Sequence, residues 1–280
     1  ANTIIPKILA KASKEAKVKF VHISTDHLYN GDKSFYSEND KKSPLNKYAE
    51  TKSMAEDEIL SENKNALIIR TNFFGWGPSY KSSFSDKILR CLESEKKIGL
   101  FGDVFFTPIS IEELKKQIFS LVSLNAKGIF NISSNERISK YDFGCRIANI
   151  FGYSTNLINN SSIDDSKELV ARPKDMSLSN HKLTTFTGIP LPSIDKQIEL
   201  LKKQREEIFE RPVIPYSRQN ISERDIESVI DVLKSDFVTQ GPVIQKFENK
   251  LSEYCKAKYA YACNSGTSAL HIACLSLGLG

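Results

Sequence analysis

Val18-Lys19-Phe20-Val21-His22-Ile23-Ser24-Thr25-Asp26 is a short apolar run that stops abruptly at two hydroxyl residues and a carboxylate. A run of this length, closed by polar residues, reads as a buried strand. Ahead of it, Ile5, Ile8, Leu9 and Ala12 recur at helical spacing between Ile4 and Ala16. Behind it, Pro44 is read as opening a second helix through Leu60, and Ala66-Leu67-Ile68-Ile69 as another buried strand ending at Arg70 and Thr71. Strands interleaved with helices imply parallel pairing through right-handed crossovers, so the predicted class is α/β. In such sheets ligands bind outside the carboxyl ends of the strands, where Thr25 and Thr71 both fall.

Further along, Phe73 to about Gly188 is less regular. The short run Gly128-Ile129-Phe130-Asn131-Ile132 and helical patterns at Glu112–Leu124 and Tyr141–Phe151 predict a small mixed α/β lobe. A charged helix from Ile194 to Phe209 meets Arg211-Pro212-Val213-Ile214-Pro215, and proline disfavours helix in itself and its predecessor. The domain boundary is placed there, giving segments 1–207 and 212–280. In the second segment Ser222 caps a helix with Asp225 three residues on, flanked by Ile221 and Ile226 at staple positions. A helix bearing Phe247, Leu251 and Tyr254 follows, then a predicted strand from Tyr259 to Cys263, the turn Asn264-Ser265-Gly266-Thr267-Ser268, and an apolar helix through Leu277.

Composition bounds the function. At 280 residues the chain has room for about two domains of ~150 residues. Its 39 Lys plus Arg against 34 Asp plus Glu give a formal charge of +5, spread along the chain. That argues against a nucleic-acid surface and suits small anionic substrates. Five cysteines without a Cys-x-x-Cys support neither a disulfide framework nor a zinc ribbon, and a reducing cytoplasm is the expected location. No apolar run reaches the ~18 residues of a membrane span. The four histidines lack ligand spacing, so no metal is expected. Ala1 in place of Met, and Gly280 within an apolar helical pattern, read as cut ends.

A tyrosine followed four residues later by a lysine places a phenol and an ammonium on one helical face, and a nearby positive charge makes a phenol a better proton donor and acceptor. The spacing occurs at Tyr29/Lys33, Tyr48/Lys52 and Tyr254/Lys258. Only Tyr48/Lys52 lies on a helix behind a strand that ends in hydroxyl residues; the alternative is an ordinary surface pair.

With these residues in place, residues 1 to about 205 resemble the extended short-chain dehydrogenase/reductases, and among them the dTDP-4-dehydrorhamnose reductases. The likeness rests on Val21-His22-Ile23-Ser24-Thr25-Asp26, Tyr36-Ser37-Glu38-Asn39-Asp40, Pro44-Leu45-Asn46-Lys47-Tyr48 through Lys52, Ile69-Arg70-Thr71, Thr107-Pro108 and Ala171-Arg172-Pro173 with Ser177-Leu178. It implies a partial Rossmann-like sheet with a small substrate domain, and reduction of a 4-keto-6-deoxy nucleotide sugar by NAD(P)H. By the same likeness Tyr48 protonates the sugar's carbonyl oxygen, Lys52 holds the nicotinamide ribose and tunes Tyr48, Thr25 hydrogen-bonds the carbonyl, and Thr71 lies against the cofactor. The family's phosphate-binding glycine-rich turn has no counterpart, since no glycine precedes Gly31 and Gly99-Leu100-Phe101-Gly102 lacks both the third glycine and the position. The resemblance therefore implies that the strands gripping the dinucleotide lie upstream, and that the full-length parent forms homo-oligomers. Arg172 has two readings, a diphosphate contact or a turn ahead of Pro173.

From Ile214 onward the chain resembles the start of a PLP-dependent nucleotide-sugar aminotransferase of the DegT/DnrJ type. The matching residues are Ile214-Pro215-Tyr216, Ser235-Asp236-Phe237-Val238-Thr239-Gln240-Gly241-Pro242 and Asn264-Ser265-Gly266-Thr267-Ser268-Ala269-Leu270-His271. This implies the N-terminal segment of a fold-type I aminotransferase, with Gly266, Thr267 and Ser268 at a helix N-terminus taking the PLP phosphate. The lysine that binds PLP covalently in that family lies downstream of the turn, whereas Lys250, Lys256 and Lys258 precede it. Two other functions stay open: transamination of a UDP-linked 4-keto-6-deoxy amino sugar, and a noncatalytic truncated binding or assembly module.

Overall fold

The computed structural model describes residues 2–78, 80–165, 170–210, 220–239 and 241–279. In chain order its elements are α1 (Ile4–Glu15), β1 (Val21–Ile23), α2 (Lys47–Glu62), β2 (Leu67–Arg70), β3 (Phe73–Phe74), α3 (Phe84–Glu93), β4 (Ile98–Phe101), β5 (Phe105–Phe106), β6 (Ile109–Ser110), α4 (Ile111–Ser123), β7 (Gly128–Asn131), β8 (Ile138–Ser139), α5 (Lys140–Phe151), β9 (Ile158–Ser161), α6 (His181–Thr187), α7 (Ile194–Glu210), α8 (Glu223–Leu233), α9 (Pro242–Cys255) and α10 (Gly266–Ser276). Residues 1–212 and 213–280 form separate compact units.

In the first unit β1, β2 and β7 make a parallel sheet in the order β1-β2-β7, with Val21 opposite Leu67 and Ile69 opposite Phe130. Side chains alternate across a strand, so β2 serves two layers. Leu67 and Ile69 pack with Leu114, Leu121, Phe130 and Leu183 beneath α4 and α6. Ile68 packs with Ala10 and Ile59 beneath α1 and α2. The alternation of helix and strand thus yields the parallel α/β sheet that the sequence predicts.

A second core holds Phe74, Leu89, Leu100, Phe106, Phe143, Ile147, Ile158 and Ile198, drawn from α3, α5, α7 and short strands. Here β4 pairs parallel with β9 and β5 antiparallel with β8. The predicted lobe from Phe73 to Gly188 is corrected at this point. The α4–β7 stretch leaves it: β7 joins the main sheet, because Gly128–Asn131 pairs in register with Leu67–Arg70, and α4 packs against that sheet, while β6 pairs with β3.

Two boundaries also move. The helix assigned to Pro44 starts at Lys47, because Asn46 is the N-cap and its Oδ1 accepts from the Ala49 amide at 2.9 Å. The first strand covers only Val21–Ile23, the residues opposite Leu67–Ile69.

In the second unit, Ser222 and Asp225 form the expected capping box, but Ile221 and Ile226 remain exposed and no staple buries them. The strand expected from Tyr259 to Cys263 does not form. A strand needs a neighbour to take its backbone hydrogen bonds, and no described residue pairs with this segment. The proline-marked break at 211–215 lies outside the described residues.

Candidate active site

The carboxyl end of β1 carries Ser24, Thr25 and Asp26, all buried. The sheet continues one bond past the strand, with the Ser24 amide donating to the Ile69 carbonyl at 2.6 Å. Asp26 is held from both sides: Asn72 Nδ2 donates to Oδ2 at 2.6 Å and His27 Nδ1 lies 2.8 Å from Oδ1. Thr25 Oγ1 donates to Asp26 Oδ1 at 3.3 Å and accepts from the His27 amide at 3.3 Å. Burial pushes the Asp26 carboxyl up, but His27, Lys140 and the Asn72 bond outweigh it and leave it below the usual carboxylate value.

Lys140, the first residue of α5, approaches the same carboxylate from the second core. Its ammonium stands 3.3 Å from the Phe106 ring centre and 4.9 Å from that of Phe84. Burial drives its pKa down to about 8, with Asp26 opposing and Arg172 reinforcing the shift.

Tyr48 is the second residue of α2, and half of its surface is exposed. Its ring meets that of His27 edge-on, the centres 6.3 Å apart. Lys52 follows one turn later, as the spacing requires. Its Nζ donates to the Ile23 carbonyl at 2.6 Å and sits 3.4 Å from His22 Nε2. Burial and the Lys52 charge push the His22 imidazole down to about 4, so at neutral pH it is uncharged and can accept from that ammonium. Burial also lowers Lys52 itself, against the pull of Glu56. On the adjoining strand end Thr71 is buried, and its Oγ1 has no hydrogen-bond partner among the described residues.

One turn beyond Lys52 the helix turns inward at Glu56. Its carboxylate takes Arg70 Nε at 3.0 Å and Arg70 NH2 at 2.6 Å, as well as Ser24 Oγ at 2.6 Å. Arg70 NH1 donates to the Tyr29 hydroxyl at 2.7 Å, which itself donates to the Ser37 carbonyl. Tyr29 stacks on Tyr36, with 4.0 Å between ring centres. Burial holds the Tyr29 phenol at about 12. This network fixes α2 to β1, β2 and the loop between them, and so fixes Tyr48 and Lys52 relative to Thr25.

The structure therefore brings Thr25, Tyr48 and Lys52 together at one strand end and sets Thr71 on the next. Asp26, His27, Asn72 and Lys140 belong to the same cluster and were not among the sequence candidates. An Asp-His pair directly after the strand-ending threonine was the available signal for two of them. Arg172 is exposed, and its charge is felt by Lys140. A hollow of about 290 Å³ lined by Trp76, Leu89, Arg90 and Arg205 shares no residue with the cluster.

In the second unit Ser265 caps α10 by accepting from the Ser268 amide at 3.1 Å, and Ser268 Oγ donates to Asn264 Oδ1 at 2.7 Å. Ser268 is thus engaged in the cap. No bond is made by the Gly266 and Thr267 amides among the described residues, and a Cβ at Gly266 would meet open space.

Residues 1–206 match the RmlD substrate binding domain model. The chain belongs to the RmlD substrate binding domain family. Within it, the "Probable low-salt glycan biosynthesis reductase Agl14" of Haloferax volcanii is 26% identical over 206 residues, covering 72% of this chain and 68% of the relative. The fold is that of dTDP-4-dehydrorhamnose reductase from Bacillus anthracis, solved in complex with NADP, at a TM-score of 0.68 and 23% identity, with 72% of each chain covered. Residues 219–280 match the DegT/DnrJ/EryC1/StrS aminotransferase family. There a UDP-4-amino-4,6-dideoxy-N-acetyl-beta-L-altrosamine transaminase of Campylobacter jejuni is 43% identical over 67 residues, which are 24% of this chain and 18% of that one. Around the RmlD-family cluster, no three His, Cys, Asp or Glu side chains among the described residues are grouped to hold a metal ion.

Proposed function

We propose that the first unit serves the NAD(P)H-dependent reduction of a 4-keto-6-deoxy nucleotide sugar in the synthesis of deoxysugars for surface polysaccharide. The observation that carries this reading is the convergence of Thr25, Tyr48 and Lys52 at the carboxyl end of a parallel strand, with His27 bridging the first two. Thr25 hydrogen-bonds the keto oxygen and Tyr48 gives it a proton. Among the described residues Lys52 Nζ bonds a carbonyl and a neutral imidazole, and it turns to the nicotinamide ribose. The orphaned hydroxyl of buried Thr71 fits a polar contact to the same cofactor, which supplies the hydride when bound. No glycine-rich strand-to-helix turn occurs in the described sheet, so these residues serve the ribose and nicotinamide end alone.

The match at residues 219–280 supports a second cofactor contact. The free amides of Gly266 and Thr267 at the α10 N-terminus fit the phosphate of PLP, with Ser268 stabilising the turn. Within this unit the contact belongs to a transamination site that the segment shares only in part.

The test is reduction of a dTDP-linked 4-keto-6-deoxy sugar by NADPH with the full-length protein and its Tyr48→Phe variant. Loss of the hydroxyl should lower kcat by about 10²-fold or more, within the range of general acid catalysis, and leave cofactor affinity nearly unchanged. A Tyr48→Phe enzyme with normal turnover would refute the assignment.

A further inference from the structure

Asp26 and His27 form a pair that the roles given to Thr25, Tyr48 and Lys52 do not use. Asp26 is 1% exposed, and a buried carboxylate demands partners. Asn72 takes Oδ2, leaving Oδ1 for His27 and the weaker Thr25 contact. An ionised carboxylate only accepts hydrogen bonds, so His27 Nδ1 must be the donor at 2.8 Å. That fixes the tautomer: neutral His27 carries its proton on Nδ1 and a lone pair on Nε2.

Nε2 has no hydrogen-bond partner among the described residues, and the side chain is 23% exposed. The ring stands edge-on to that of Tyr48 with centres 6.3 Å apart, so the two side chains are immediate neighbours. The Tyr48 hydroxyl likewise makes no bond to a described residue. Lys140, whose ammonium lies over the Phe106 ring, adds a positive charge that helps keep Asp26 ionised. A part-exposed base, held by a buried acid and with its ring against that of the proton donor, is an arrangement that general acid–base chemistry can use.

We propose that His27, oriented by Asp26, is the group that returns a proton to Tyr48 after each turnover. The inference rests on the reductase reading of Tyr48. In the chemical step bound NADPH would supply the hydride for the new C–H bond at the keto carbon, while the Tyr48 O–H bond breaks and its proton goes to the carbonyl oxygen, leaving a phenolate. The Nε2–H bond of protonated His27 then breaks, its proton passes to the phenolate directly or through one water, and neutral His27 regains a proton from solvent. The sum is ketone, NADPH and one proton giving alcohol and NADP⁺. Thr25 is not displaced, because it takes the His27 backbone amide and leaves Nε2 alone.

The experiment has two arms, NMR on this chain and kinetics on the full-length protein. Nitrogen-15 NMR of histidine-labelled protein should find neutral His27 protonated on Nδ1, with that preference lost in Asp26→Asn. A proton on Nε2 in the wild type would overturn the proposal whatever the activity. Steady-state reduction of a dTDP-4-keto-6-deoxy sugar should show His27→Gln slowed in kcat by roughly 10-fold or more with KM nearly unchanged. In His27→Ala, added imidazole should restore turnover, which a merely structural role for the side chain would not allow. Wild-type rates in His27→Gln, or no rescue of His27→Ala, would sink the relay while leaving the reductase standing. Absence of turnover in the full-length wild type would sink the reductase reading, and the relay with it.

Discussion

At the scale of single residues, the least replaceable group of the first unit is the Arg70–Glu56 pair, with exposures of 1% and 0%. Taking two charges out of water is costly, and the cost is offset here by a two-pronged contact plus bonds from Ser24 and to Tyr29. Glu56→Gln leaves the guanidinium buried without its counter-charge, so it should destabilise the fold by about 3–5 kcal/mol. Urea denaturation followed by circular dichroism reads this, and the double variant Glu56→Gln/Arg70→Met should lose less than the two single losses added. An unchanged midpoint in Glu56→Gln would contradict the role given to the pair. Neither residue stood out in the sequence, because Arg70 looked like the polar stop of an apolar run and Glu56 like one of several acids on α2. Thr25, Tyr48 and Lys52 were legible since they need only a strand end and a helical turn. Asn72 and Lys140 reach Asp26 across 46 and 114 positions, which no local pattern encodes.

Elements were legible where their physics is local and not where it depends on a neighbour. The helices follow the apolar spacing, and the Ser222–Asp225 box closes as written. The predicted strand at Tyr259–Cys263 fails for want of a partner, and α4–β7 was assigned to the wrong layer because a helix–strand unit has the same pattern in either lobe. Asn46 is the instructive boundary. Its Oδ1 caps α2 and its Nδ2 donates to the Ala171 carbonyl at 3.0 Å, tying the first turn that carries Tyr48 to the segment beside Arg172. Asn46→Ala removes both bonds and should cost about 1 kcal/mol, while Asn46→Asp restores the acceptor and should recover most of it. Thermal melting of the three proteins checks the order, and an Asn46→Ala protein that melts with the wild type would show that the cap contributes nothing.

At the scale of the whole molecule, two kinds of surface meet in one chain. The first unit buries its polar network deeply, whereas the second leaves Val229, Leu233, Phe247 and Tyr254 exposed along α8 and α9. A cofactor in this second unit would be gripped weakly. A phosphate on the Gly266 and Thr267 amides is worth only a few kcal/mol, since each contact replaces a good hydrogen bond to water. Lasting capture of PLP needs a lysine held against its aldehyde and activated by its surroundings. The lysines described in this unit, Lys234, Lys246, Lys250, Lys256 and Lys258, are all exposed. Lys258 has the nearest thing to a fixed place, 5.2 Å from the Tyr259 ring centre. The full chain mixed with PLP and reduced with borohydride should therefore give no stoichiometric label on any one lysine, and no transaminase activity. Peptide mapping after reduction decides the matter. Scattered, substoichiometric labelling is the expected pattern, and full occupancy of Lys258 or another single lysine would mean that this segment builds a PLP site by a geometry its turn and helices do not contain.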